Sequence, residues 1–205
     1  PFMPRQFLLF LRAMGKVVTL PYAYSLRLPE EGFAGALYRE DIQGDTGDQQ
    51  ELHRFELHGA RTGDDAGGGG ARYRFDSERH VGAEGLYTQY RGRGAQDLHY
   101  FHAVAHGDVA REDEWRVEYQ AGAGGVAGRF QRLGPRVAFG IESFPYKPLY
   151  FEGVAGAVLA SGGTIGDLRA GAGVAGGRWQ LRAGWRVLSA PVWLSGPDAA
   201  LTLRF

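Results

Sequence analysis

Cysteine is absent from the 205 residues. That removes disulfides, thiolate metal sites and cysteine nucleophiles together, and it suits a reducing or an oxidising compartment equally. A net charge is absent too, because 23 lysines and arginines balance 23 aspartates and glutamates. No overall field then steers the molecule, and nucleic acid is not an expected partner. Nor does any run approach the roughly 20 apolar residues of a membrane-spanning helix. The nearest, residues 7–11, is soon cut by Arg12 and Lys16. The same two cations spoil residues 3–20 as a signal peptide, and no small-residue cleavage site follows, so a mature or trimmed chain is expected.

What remains is glycine, 33 of the 205 residues, amid abundant charge. The pattern is too ordered for a disordered chain and too rich in glycine for a helical bundle, so an all-β fold fits. The length suits one domain. At the start, Phe7, Leu8, Leu11, Met14 and Val18 recur at helical spacing. They predict a short amphipathic helix or extension over residues 1–20, ahead of a β domain over 21–205.

From residue 22 the period becomes two. In residues 178–187, Trp179, Leu181, Ala183, Trp185 and Val187 form one face, and Arg178, Gln180, Arg182 and Arg186 the other. Trp115, Val117, Tyr119 and Ala121 oppose Arg116, Glu118 and Gln120 in the same way, and Tyr73 and Phe75 oppose Arg72, Arg74 and Asp76. Such segments fall at 22–28, 33–42, 51–60, 71–79, 84–92, 97–106, 114–123, 136–143, 150–160, 165–174, 178–188 and 198–205, with a weaker one at 126–132. The connections are short and rich in turn residues: PEEG at 29–32, GDTGD at 44–48, TGDDAGGGG at 62–70, RGRG at 91–94, LGP at 133–135, PYKP at 145–148 and SGGT at 161–164. Neighbouring strands are therefore expected to be antiparallel, about twelve in number, within a range of ten to twelve.

Two glycine patterns, residues 171–176 and 122–127, match a dinucleotide fingerprint. That motif works only between a parallel strand and a helix. Here each runs into another alternating segment, so the glycines are expected to make room for neighbouring arginines, and no cofactor is expected. His102 and His106 share a strand face but stand about 13 Å apart at 3.3 Å per residue, too far to hold one metal unaided. No metal is assigned, and interfacial or rim positions are expected for the histidines. Ser77 and His80 with Glu78 or Glu84, and Ser143 beside Glu142, are the available parts for acyl transfer.

The chain ends on an alternating strand in which Ala199, Leu201, Leu203 and Phe205 face one way, Thr202 and Arg204 the other. This end resembles the closing strand of the outer-membrane β-barrel proteins of Gram-negative bacteria. The resemblance implies an up-and-down transmembrane barrel in the outer membrane, with Leu201, Leu203 and Phe205 as the signal read by the barrel-assembly machinery. The Ser and His spacing of the outer-membrane phospholipase and lipid A deacylase families is missing, so no catalytic residue is carried over and an enzyme is not the expected reading.

Alternation alone does not say which face meets lipid, and a soluble lipocalin-like barrel would carry its apolar face inward. Aromatic residues near strand ends and charge-balanced polar faces favour the membrane barrel. Tyr87, Tyr90, Trp115, Tyr150, Trp179 and Trp193 are then expected at the two membrane interfaces, against lipid. Arg72, Arg74, Asp76, Arg116, Glu118, Glu152, Asp167, Arg169, Arg182, Arg186 and Arg204 are expected to line the lumen. Confined there, they must pair, since an unpaired buried ion is costly. They form either a plug of salt bridges or a narrow porin-like path for small anionic solutes.

Overall fold

A computed structural model describes residues 51–62, 66–77, 81–92, 97–111, 115–146, 148–176, 178–190 and 192–205. Among them ten strands follow in chain order: β1 (Glu51–Thr62), β2 (Ala66–Ser77), β3 (Val81–Gly92), β4 (Leu98–Arg111), β5 (Trp115–Ala127), β6 (Arg132–Tyr146), β7 (Leu149–Ala160), β8 (Gly163–Gly176), β9 (Trp179–Ser189) and β10 (Trp193–Arg204). Each pairs antiparallel with its neighbours in sequence, and β10 pairs with β1, which closes the barrel. Closure removes the free edges that such long strands would otherwise present.

The ring has ten strands rather than about twelve. The candidates at 22–28 and 33–42 and the helix at 1–20 lie outside the described residues, and the ring closes without them. The weaker segment at 126–132 is no strand of its own: it holds the end of β5, a bend and the first residue of β6. The glycines at 67–70, expected in a connection, belong to β2. Gly68 and Gly70 face inward, and a Cβ at Gly68 would lie 2.6 Å from the ring of Tyr90. The LGP sequence at 133–135 lies within β6. Those residues pair only with β5, and the ladder with β7 begins at Arg136. Pro135 thus occupies a stretch with one unpaired side, where a missing N–H costs least. The same logic marks the seam between β1 and β10: its ladder stops at Ala60 opposite Asp198, one residue short of Pro197.

Along the strands, inward and outward positions alternate with opposite polarity to a water-soluble fold. Outside stand Leu57, Leu133, Phe139, Ile141, Trp185, Leu203 and, at 71% exposure, Trp193. Inside, nine arginines and seven carboxylates are buried. The interior also holds an apolar cluster, centred on Tyr90, Leu98, Tyr100, Ile165, Leu188 and Leu194. It sits near the end of the barrel away from the carboxy terminus, where β3, β7 and β9 end and β4, β8 and β10 begin.

Candidate functional site: the charged lumen

The alternation within each strand delivers the lumen side chains. Arg72, Arg74 and Asp76 come from β2, Arg116 and Glu118 from β5, and Glu152 from β7. Asp167 and Arg169 come from β8, Arg182 and Arg186 from β9, and Arg204 from β10. All of these face inward, and all but the partly covered Asp76 are buried. Inward glycines make space for them: a Cβ at Gly140 would meet the side chain of Glu118, one at Gly156 the guanidinium of Arg136, and one at Gly171 the stem of Arg182.

Near the terminal end, Arg54 donates to Asp76 at 2.7 Å and reaches Glu142 at 3.2 Å, while Arg116 Nε lies 3.0 Å from Glu142. Arg74 joins this group, donating to Asp76 at 3.0 Å and to both oxygens of Glu118. Deeper in, Arg72 donates to Glu56, and Glu152 lies between Arg169 at 3.0 Å and Arg182 at 3.3 Å. Arg182 grips Asp198 through both terminal nitrogens, at 3.2 and 2.8 Å, the fork geometry for which arginine is suited. Below the apolar cluster, Asp167 accepts from Arg136 at 3.3 Å, Arg186 at 3.2 Å and the Tyr100 hydroxyl at 3.0 Å. Arg186 also donates to Thr88, whose hydroxyl lies 2.8 Å from His58 Nε2.

The network is close to neutral and close to full. A cavity of about 10 Å³ lies among Arg72, Arg74, Glu118, Glu142, Glu152 and Arg169, room for about one water. Ten strands sit just above the eight at which side chains fill a barrel, and far below the 16–18 that leave an aqueous channel.

Several lumen residues were not assigned to the lumen from sequence: Arg54, Glu56 and His58 on β1, Arg136 on β6 and Asp198 on β10, together with Glu84 on β3 and Glu142 on β6, which sequence had offered only as parts for acyl transfer. The signal was available, since Arg54, Glu56 and His58 alternate with the outward His53, Phe55 and Leu57. His102 and His106 are neither interfacial nor at the rim but buried inside, His102 Nε2 at 3.0 Å from Glu84 and His106 Nδ1 at 3.9 Å from Asp76.

Two of the six expected interface aromatics are also misplaced. Tyr90 and Tyr150 point into the barrel, 1% and 2% exposed. Parity explains both, because Tyr90 shares a face with Glu84 and Thr88, and Tyr150 with Glu152. Tyr87, Trp115, Trp179 and Trp193 face outward. Two outward tyrosines are tied to histidines: Tyr73 to His53 and Tyr87 to His99, each with the phenolic oxygen 2.6 Å from Nδ1. Leu201, Leu203 and Phe205 are outward and exposed on the last strand and its end.

The glycine fingerprints lie inside β5 and β8, and neither opens a helix. Ser77 donates to the carbonyl of Val81 at 2.6 Å, while Glu78 and His80 lie outside the described residues. Ser143 and Glu142 are adjacent on a strand and so leave it on opposite faces, with Glu142 engaged by Arg54 and Arg116. Among the described residues no group of histidines and carboxylates is arranged to hold a metal ion.

No family model matches the chain, and no curated protein matches it. Among solved structures, LpxR from Salmonella typhimurium is similar at a TM-score of 0.33 and 8% identity, over 74% of this chain and 99% of that one. The translocator domain of autotransporter NalP from Neisseria meningitidis is similar at 0.32 and 12%, over 84% of this chain and 96% of that one. At that degree of superposition neither likeness bears on ligand or chemistry.

Proposed function

We propose that the chain is an integral outer-membrane β-barrel whose interior is plugged by a neutralised ion-pair network, acting as a structural, poorly conducting envelope protein. One observation carries this reading: the polarity of the barrel is inside out. Large apolar side chains such as Phe139 and Trp193, 64% and 71% exposed, cover the outer wall, while arginines and carboxylates fill the core. In water such a wall would be a contiguous apolar surface far beyond what monomeric soluble proteins expose. In a bilayer it is the expected exterior. Strands of 11 to 15 residues meet or exceed the 9–11 that a tilted strand needs to cross the hydrocarbon. β10, which pairs with β1 to close the ring and carries Leu201 and Leu203 outward against Thr202 and Arg204 inward, resembles the closing strands of outer-membrane barrels and supports the location.

The filled lumen favours a plug over a path for anions. Its arginines spend their charge on carboxylates of other strands, as Arg74 does on Glu118 and Arg182 on Asp198, leaving little field for a permeating anion. Purified protein reconstituted in brominated lipid tests the outward face: quenching of the outward tryptophans is expected, and unquenched fluorescence in a protein that stays monodisperse without detergent would sink the membrane reading. Planar-bilayer recording tests the plug. Silence is expected, whereas a steady anion-selective current lost in Arg182→Ala or Arg186→Ala would restore the porin-like alternative.

A further inference from the structure

His106 stands inside the terminal end of the lumen with both ring nitrogens committed. A backbone carbonyl only accepts, so Nε2 carries the hydrogen that is donated to Phe75 at 3.2 Å. A guanidinium only donates, so Nδ1 offers its lone pair to Arg74 Nη2 at 3.4 Å. The two partners together select one neutral tautomer. The ring has no room to turn away from them. Its side chain is 1% exposed, and a Cβ at Gly82, opposite it on β3, would lie 2.7 Å from Cε1 and Nε2.

The charged groups that face the ring are Arg74 and Asp76 on β2, Glu118 on β5 and Glu84 on β3. Behind them, Arg54 from β1 and Arg116 from β5 reach Asp76 at 2.7 and 3.6 Å, and Glu142 from β6 lies 3.2 and 3.0 Å from the same two arginines. On its own strand the titratable neighbours are His102, which lies against Glu84, and Asp108. Gln120, the neutral cross-strand partner on β5, donates to Glu118. Every carboxylate facing the ring is therefore engaged already. At this end Arg54, Arg74 and Arg116 balance Asp76, Glu118 and Glu142. Arg74 Nη2 is the crowded point, since its hydrogens serve Asp76 Oδ1 at 3.0 Å, Glu118 and His106 together.

We propose that His106 is an acid-sensitive latch on the terminal end of the plug, a regulation that rests on the plug reading above. A proton from water reaches the ring past Asp76, the partly covered carboxylate beside it. Placed on Nδ1, it replaces the lone pair with an N–H aimed at the N–H of Arg74, and that hydrogen bond is lost. Asp76 Oδ1 lies 3.9 Å from Nδ1 but already accepts from Arg74. The imidazolium competes for that oxygen and becomes a fourth cation among three carboxylates, in a space where unpaired charge is costly. The contacts by which Asp76 ties β1, β2 and β5 together then loosen. The apolar cluster at the other end carries no charge at either pH and stays closed.

Hydrogen exchange read by mass spectrometry tests the latch, on the full chain in detergent micelles, with times scaled for the intrinsic rate. The comparison is between about pH 7.5 and about pH 5, a window in which free carboxylates stay mostly ionised and a free histidine, near about 6.5, takes up its proton. In wild type, exchange over residues 72–77 and 115–120 is expected to rise ~10-fold in acid, with 86–92 and 121–127 unchanged. His106→Asn sets an amide oxygen, which takes no proton, in the place of Nδ1 and is expected to abolish the rise. His106→Gln, which keeps a donor for Phe75, is the second variant should the first fail to fold. His58→Gln and His102→Gln serve as controls and are expected to keep the rise. Equal protection of wild type at the two pH values, a rise spread evenly over both ends, an undiminished rise in a folded His106 variant, or its loss in a control instead overturns the latch. Planar-bilayer recording at neutral pH separates the two claims: a steady current refutes the plug, whereas silence with no acid response in exchange refutes only the latch.

Discussion

Phe205 and His53 close the barrel. Each donates its main-chain N–H to the other's carbonyl at 3.0 Å, and their rings stack 5.9 Å apart and 7° from parallel. The seam they begin has seven paired positions, ending at Ala60 and Asp198, against twelve between β1 and β2. As the one pairing not joined by a hairpin, it depends most on such end contacts.

Phe205→Ala is therefore expected to lower the temperature at which the folded band is lost on semi-native gels, by an amount equivalent to ~1 kcal/mol, the worth of an aromatic contact beyond its area. Protein refolded in detergent micelles gives the readout, since no assembly machinery is present there. An unchanged midpoint would mean that the terminal ring contributes nothing to the finished seam.

Breaking one partner of a buried ion pair strands the other. Glu118 receives Arg74 through both terminal nitrogens and also the side-chain amide of Gln120 at 2.8 Å. Glu118→Gln is expected to destabilise the barrel by ~3–5 kcal/mol. Arg74→Met combined with Glu118→Gln is expected to cost less than the sum of the two single changes, which a denaturant double-mutant cycle in detergent measures.

Two glycines of neighbouring strands make a matched comparison. Gly68 faces inward against Tyr90, whereas a Cβ at Gly85 meets no atom within 4 Å. Gly68→Val is expected to lose ~1–3 kcal/mol through overpacking, and Gly85→Val to stay near neutral or gain slightly. Equal effects in urea melts would place both positions on the same face and contradict the register.

Tyr100 joins the apolar cluster to the charged network, donating to Asp167 while its ring lies 5.3 Å from the Arg186 guanidinium carbon. Tyr100→Phe keeps the ring and removes one donor from a buried carboxylate, an expected cost of ~1–3 kcal/mol. Tyr100→Ala also opens a cavity and is expected to exceed it, by the ~3–5 kcal/mol scale of large aromatic truncations. If the cluster seals the lumen, only the alanine variant gains measurable ion conductance.

Residue order by itself determined the alternation and therefore the two faces of each ribbon. Residues 178–187 place Trp179 and Leu181 opposite Arg182 and Arg186 whatever the fold around them, because a strand's side chains alternate by covalent geometry. The same parity was enough to place Tyr87 and Tyr90 on opposite faces, and the proximity of aromatic residues to strand ends obscured it. Tertiary structure alone decided that ten strands close the ring, since glycine and proline near 67–70 and 133–135 read as turns until Tyr90 overhead and a one-sided ladder explain them. It alone decided which charges meet: Arg54 and Glu142 are 88 positions apart, and no local pattern names partners that only barrel closure and strand stagger bring together.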